Sequence, residues 1–382
     1  MSAAPLLPGA TLGMLGGGQL GRMFTLAART MGYRVIVLDP DPDSPAGSLA
    51  HSHIEAGYLE TSALDALAEA CDAVSTEFEN VPATALEHLA PHCIVRPHAA
   101  AVAPTQDRLA EKAFFDANDL PTVAWAPVRD RAELDSAVAR VGTPALLKHA
   151  RGGYDGKGQA GVERPDEAAA AFESLGEEPC ILEQRVTLER ELSVIVCRAA
   201  DGTVACYAPG ENVHVGGILA TTRVPAAIDD TLAARATDIA ARTATALDYC
   251  GVLGVELFVS AEGGILLNEL APRPHNSGHY TLDASATTQF EQQVRLLCGL
   301  QPGSTRLLSP VAMVNVLGDV WRNGQPDWTR VFDRPEAKLH LYGKLEPRPG
   351  RKMGHVNVLA GDPEEALASA RAIVTEMGGR PV

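Results

Sequence analysis

The run Leu146-Leu147-Lys148-His149-Ala150-Arg151-Gly152-Gly153-Tyr154-Asp155-Gly156-Lys157-Gly158-Gln159 sets a lysine at the end of an apolar strand and follows it with four glycines. A fixed cation beside a turn whose backbone N–H groups can approach a ligand suits phosphate oxygens. The run falls short of a P-loop, because Arg151 stands where the first Gly belongs and Gly158 where Ser or Thr would hold magnesium. A glycine hairpin with solvated lysines is the other reading. A second pattern, GVLGVELFVSAEGGILLNEL over 251–270, reads as a hairpin turning at Ser260-Ala261-Glu262-Gly263-Gly264. That turn places Glu256 opposite, or within one position of, Asn268 and Glu269. Two carboxylates side by side in apolar strands repel one another unless a cation lies between them. Magnesium suits such a pair, since it takes one or two carboxylates and completes its shell with water and phosphate. In another register one Glu faces solvent and the pair never meets.

Between Lys338 and His355, KLHLYGKLEPRPGRKMGH gathers Lys338, Lys344, Arg348, Arg351 and Lys352 against one acid, Glu346. In a chain of formal charge −16 this reversal suits a phosphate on a small substrate, or else forms a solvated basic edge. Arg273, in APRPHNSGH, adds a cation just after the carboxylate hairpin, and His275 and His279 there read as hydrogen-bonding groups rather than metal ligands. Near the N-terminus, GMLGGGQLGRM carries Gly16, Gly18 and Gly21 in G-x-G-x-x-G spacing, and Asp39 ends the next apolar run. Alone, this is a dinucleotide-binding fingerprint. Yet a hydride-transfer enzyme has no use for paired carboxylates, a lysine–glycine loop and a second basic cluster, whereas a nucleotide-hydrolysing ligase uses all three. The glycine turn then becomes a relic of the fold or a seat for a substrate phosphate at a helix N-terminus.

These groups must be held by more than one module. TLGML, RVIVLD, AVST and IVRP alternate with helical patterns, which predicts a doubly wound parallel domain over residues 1–106. From Pro127 the pattern turns to strand pairs with glycine turns, including a DG hairpin at Asp201-Gly202, and so to an α+β domain with antiparallel strands over 107–300. A long helix over 229–248 leads into the carboxylate hairpin, and residues 301–382 form a small closing module.

With 382 residues, 46% hydrophobic and 21% charged, the chain has the composition of a globular protein of two or three modules. No apolar run approaches membrane-spanning length, and no basic residue precedes the short apolar stretch at the N-terminus, so a cytoplasmic location is expected. The seven scattered cysteines include no C-x-x-C pair, against a disulfide framework or structural zinc. The acidic balance argues against nucleic acid and membrane partners.

GGGQLGRM, GGYDGKGQ, EQRV, VELF, NELAPRPHNSGH and PGRKMGH, in this order over nearly the whole chain, resemble the 5-(carboxyamino)imidazole ribonucleotide synthase family of the ATP-grasp superfamily. The resemblance implies an ATP-grasp centre whose lid, about 127–188, closes over nucleotide. It also implies the reaction: ATP, bicarbonate and 5-aminoimidazole ribonucleotide give the carbamate, ADP and phosphate, with magnesium, in purine biosynthesis. Transferred by position, Arg108, Lys148 and Gly153, Tyr154, Asp155, Gly156, Lys157, Gly158 and Gln159 would hold the ATP phosphates. Glu183, Gln184, Arg185 and Val186 would form the strand that reads adenine, Glu191 would take the ribose hydroxyls, and His214 would lie near the nucleotide. Glu256 and Glu269 would bind magnesium, with Asn268 beside them. For the ribonucleotide the resemblance points to Gln19, Leu20, Glu77, Tyr154, Asp155, Arg273, Lys344 and Arg351. Lys148 and Arg273 would serve the chemistry as cations, and Asp155 would be the base that deprotonates the exocyclic amine, or only its hydrogen-bond acceptor. The family is commonly homodimeric. Sibling ligases acting with formate on glycinamide ribonucleotide or on biotin, a nicotinamide oxidoreductase, and a non-catalytic ATP-binding module are the competing readings.

Overall fold

The computed structural model describes residues 4–152 and 158–379. Five parallel strands, β1 (Thr11–Leu15), β2 (Arg34–Leu38), β3 (Ser52–Ile54), β4 (Ala73–Thr76) and β5 (Ile94–Val95), run in the order β3-β2-β1-β4-β5. Helices α1 (Gln19–Thr30), α2 (Thr61–Ala70), α3 (Ala83–Leu89) and α4 (Ala99–Val102) accompany them. Leu64, Leu67, Leu86 and Leu89 of α2 and α3 close on Leu15, Leu38 and Val74 of the sheet. The chain winds from β1 to β2 and β3 on one side and returns to β4 on the other. Such a reversal opens a crevice at the carboxyl ends of β1 and β4, which lead directly into the glycine turn and Glu77.

Helix α5 (Arg108–Ala117) is N-capped by Asp107, whose carboxylate accepts the Leu109 and Ala110 N–H groups. A four-stranded antiparallel sheet follows, with β6 (Trp125–Val128), β7 (Ala145–His149), β8 (Gln159–Val162) and β9 (Cys180–Gln184) in the order β6-β9-β7-β8. Helices α6 (Leu134–Val141) and α7 (Ala168–Ser174) cover it around Leu147, Phe172 and Leu182. Lys148 and Glu183 stand on its neighbouring strands β7 and β9.

The third sheet is antiparallel and has nine strands: β10 (Leu188–Arg198), β11 (Val204–Cys206), β12 (Gly210–Val215), β13 (Ile218–Val224), β14 (Gly251–Ser260), β15 (Ile265–Ala271), β16 (Val311–Leu317), β17 (Ala337–Leu341) and β18 (Lys352–Leu359). Its path is β15-β14-β10-β12-β13-β16-β18-β17, with β11 on β10. The long helix α8 (Asp230–Ala246) lays Ala236, Ile239, Ala240 and Ala244 against Leu192, Val194 and Val255. The remaining helices are α9 (Thr281–Ala284), α10 (Gln289–Leu297), α11 (Thr329–Phe332) and α12 (Pro363–Glu376). The C-terminal strands do not make a sheet of their own. β16 pairs with β13, so the closing module prolongs the central sheet. Leu20 and Met23 of α1 pack with Phe290 of α10 and Tyr342, which brings the segment after β17 to the glycine turn. All seven cysteines are free, and among the described residues no helix is long and apolar enough to cross a membrane.

Candidate active site

Elements of all three sheets line one cleft of about 570 Å³. At its N-terminal wall Gly16, with φ +108°, turns the chain out of β1. Into this turn enters the carboxylate of Glu77, the residue after β4: one oxygen accepts the Gly18 N–H and the other the Leu20 N–H at 3.1 Å. A Cβ on Gly18 would lie 2.3 Å from Glu77 Oε1, so the missing side chain is what admits the carboxylate. Asp39 is engaged in the same way, accepting the Gly17 N–H at 2.7 Å and the Tyr58 hydroxyl at 2.6 Å. Backbone donors that a pyrophosphate would use are therefore bonded to the protein's own carboxylates. This arrangement leaves a dinucleotide pyrophosphate without its usual backbone donors, against the nicotinamide reading of the glycine turn. Burial pushes the Glu77 carboxyl up to about 7, partly offset by the Gly18, Leu20 and Gly21 N–H groups.

Across the cleft, Glu256 of β14 pairs with Glu269 of β15. The register then slips, with Leu257 facing Leu267, so Asn268 is an extra residue in β15. Side chains alternate along a regular strand, but a bulge re-aims them, and here the consecutive residues Asn268 and Glu269 both line the cleft. His275 Nε2 lies 3.0 Å from Glu256 Oε1, and Arg108 Nη1 donates to Glu269 Oε2 at 3.0 Å. Burial would raise the Glu256 carboxyl, but His275, with His214 and Lys352 nearby, outweighs it and holds the group at about 2. Two carboxylates beside an amide oxygen are the hard oxygen donors that magnesium accepts, so the donor set fits that ion. Among the described residues no cluster of three His, Cys, Asp or Glu is placed to hold a metal ion.

One wall of the cleft carries Lys148, whose ammonium donates to Glu183 Oε2 at 2.6 Å. Burial would raise Glu183, yet Lys112 and Lys148 hold it at about 2. Glu191 Oε2 lies 2.6 Å from His214 Nδ1; burial lowers that imidazole, and Glu191 reverses the shift so that it ends raised. Towards the glycine turn, Arg273 Nε donates to Glu79 Oε2 at 2.5 Å, and Lys344 Nζ donates to Gln19 Oε1 at 2.6 Å. Burial works against the Arg273 charge, but Glu79 outweighs it and raises the guanidinium.

Gln19, Leu20, Glu77, Arg108, Lys148, Gly158, Gln159, Glu191, His214, Glu256, Asn268, Glu269, Arg273 and Lys344 are brought together in this cleft. Glu183, Gln184, Arg185, Val186 and Arg351 are not among its lining residues. Glu183 is buried behind Lys148, and Arg185 pairs with Glu163 on an exposed face. The Arg351 guanidinium donates to the Glu346 carbonyl at 2.9 Å, while its neighbour Lys352 lines the cleft. Gly153, Tyr154, Asp155, Gly156 and Lys157 lie outside the described residues. Spacing alone missed Glu79 and Lys112, whereas His275, read as a hydrogen-bonding group, and Lys352, read as part of the basic cluster, both line the cleft. It also missed the β12–β13 hairpin that carries His214, although Gly216-Gly217 between alternating runs signals it.

Three family models match in succession: the ribonucleotide synthetase preATP-grasp domain over residues 9–106, the ATP-grasp domain over 113–290, and the phosphoribosylaminoimidazole carboxylase C-terminal domain over 311–369. The N5-carboxyaminoimidazole ribonucleotide synthase of Bacillus subtilis (strain 168) is 42% identical over 359 residues, covering 94% of each chain. The crystal structure of an ADP complex of an N5-carboxyaminoimidazole ribonucleotide synthetase superposes with a TM-score of 0.92 at 42% identity, over 97% of this chain and 98% of that one. An N5-carboxyaminoimidazole synthase from Aspergillus clavatus, in complex with ADP and 5-aminoimidazole ribonucleotide, superposes with a TM-score of 0.90 at 31% identity, over 98% and 100%. The cleft, the order of its three modules and these likenesses agree: the chain belongs to the N5-carboxyaminoimidazole ribonucleotide synthase family.

Proposed function

We propose that the chain carboxylates 5-aminoimidazole ribonucleotide with bicarbonate at the expense of ATP, giving N5-carboxyaminoimidazole ribonucleotide, ADP and phosphate in purine biosynthesis. The observation that carries this reading is the Glu256–Glu269 pair in one cleft with Lys148, Arg273 and Lys344. Arg108, Lys148 and the 153–159 loop take the ATP phosphates. The segment from Glu183 to Val186, at the end of β9, meets adenine through its backbone, Glu191 meets the ribose, and His214 orients Glu191. Glu256 and Glu269, with Asn268 beside them, would hold magnesium, which, when bound, would neutralise charge on the transferring phosphoryl group. The module bounds 1–106, 107–300 (lid 127–188) and 301–382, a cytoplasmic location and a homodimer belong to the same proposal.

Bicarbonate is a poor electrophile, so one of its oxygens attacks the γ-phosphorus and ADP leaves, giving carboxyphosphate. Lys148 and Arg273 offset the charge that develops, where catalysis is mainly positioning and electrostatics. Carboxyphosphate breaks to carbon dioxide and phosphate inside the closed cleft, which keeps water away. The exocyclic amine attacks the carbon, and Asp155 takes its proton. Gln19, Leu20, Glu77, Tyr154, Arg273, Lys344 and Arg351 orient the ribonucleotide. Phosphate release from MgATP and bicarbonate, measured with and without 5-aminoimidazole ribonucleotide, tests the proposal. Stimulation by the ribonucleotide is expected; stimulation by formate with glycinamide ribonucleotide, or by biotin instead, would refute it.

A further inference from the structure

Lys112, on α5, is 1% exposed, a burial that a lysine tolerates only with its ammonium fully engaged. Its Nζ donates to the Asn268 carbonyl at 2.8 Å and to Thr122 Oγ1 at 2.9 Å, and lies 3.6 Å from Glu183 Oε1. These acceptors belong to three separate parts of the molecule: the bulge of β15, the segment that leads from α5 into the lid sheet, and the lid strand β9. Asn268 is the bulge residue, without a register partner in β14, and Lys112 supplies its carbonyl with a donor. Thr122 Oγ1 in turn donates to the Leu267 carbonyl at 2.9 Å, and Glu111, next to Lys112, accepts the Leu270 N–H at 2.9 Å. Glu111 and Lys112 of α5, together with Thr122, therefore grip the main chain of β15 on both sides of Asn268 and Glu269. The other oxygen of Glu183 accepts Lys148, so Lys112 shares that carboxylate with the phosphate-facing lysine.

We infer that Lys112 is a positioning residue for the metal–nucleotide site. It fixes the β15 bulge that turns Glu269 and Asn268 into the cleft together, and through Glu183 it sets where Lys148 stands. Lys112 lies behind these residues and is not part of the cleft lining. Groups that hold metal ligands in place typically change metal affinity by about 10–100-fold when removed. The inference rests on the magnesium role proposed above for Glu256 and Glu269.

The test is the affinity of the full chain for ADP, measured by titration calorimetry with magnesium and with chelator; the ratio of the two is the metal gain. Lys112→Met should reduce that gain by about tenfold, while affinity for 5-aminoimidazole ribonucleotide stays within about twofold. Thr122→Val leaves the ammonium two of its acceptors and should reduce the gain by about threefold; it decides the matter if Lys112→Met does not fold. A wild-type metal gain in the folded variants overturns the inference, as does an equal loss of ribonucleotide affinity, which would mark general damage. A wild type with no metal gain overturns the magnesium role and this inference with it. Phosphate release is read separately: its failure in the wild type overturns the substrate assignment, while a metal gain lost in the variants still supports the role of Lys112.

Discussion

Gly18→Ala isolates the contact between the glycine turn and Glu77. Gly18 is the N-cap of α1 with φ −76°, so alanine meets no backbone strain there. Its Cβ, however, would stand 2.3 Å from Glu77 Oε1, closer than the 3.0 Å that real Cβ contacts respect. The carboxylate must withdraw, and two backbone donors, Gly18 N–H and Leu20 N–H, lose their acceptor. A buried donor left unpaired costs about 1–3 kcal/mol, so the pair comes to about 2–6 kcal/mol. For a domain this large, that lowers the melting temperature of the first transition by about 4 °C or more. Gly57→Ala is the control, since a Cβ there meets nothing within 4 Å. Thermal melts of both variants, with calorimetric titration of 5-aminoimidazole ribonucleotide and of ADP, should show Gly18→Ala destabilised and weakened towards the ribonucleotide alone. Equal melting of the two variants would refute the view that the turn is built around a carboxylate.

Glu269→Gln should nearly abolish phosphate release with the fold intact, because it removes one carboxylate of the pair proposed to hold magnesium and the partner of Arg108; unchanged turnover would place the ion elsewhere. If Arg351 meets the substrate phosphate, Arg351→Ala should weaken ribonucleotide binding by about 10–150-fold with ADP binding unaffected; no effect would leave the phosphate to Lys344 and Lys352. Burial, opposed by Lys112 and reinforced by Glu269, pushes the Glu111 carboxyl from 4.5 up to about 8. The folded chain therefore holds a proton that the unfolded chain has lost, and relative to Glu111→Gln the wild type should lose stability as pH rises from 4.5 towards 8. Denaturation at several pH values checks this, and a pH-independent difference would contradict it.

The parallel domain was legible because its signals are local. β1 (Thr11–Leu15) and β4 (Ala73–Thr76) coincide with the apolar runs TLGML and AVST, and each next helix follows within a few residues. The Glu256–Glu269 pairing was legible for the same reason, since a short turn fixes the register of its flanking strands. What spacing does not carry is contact between distant segments. Glu77 enters a turn 59 residues earlier in the chain, Lys112 reaches a carbonyl 156 residues away, and β16 joins β13 across the whole of the carboxylate hairpin. The bulge at Asn268 leaves no mark in composition, although it decides which side chains line the cleft.

The proposed chemistry depends on two carboxylates from adjacent strands holding one ion against a nucleotide. A crystal grown with manganese and ADP, read by anomalous scattering, tests that directly. One manganese bound to both Glu256 and Glu269, at oxygen distances of about 2.0–2.2 Å and in contact with the nucleotide phosphates, is the predicted result. A metal bound to neither carboxylate, or phosphates lying away from Lys148, would contradict it.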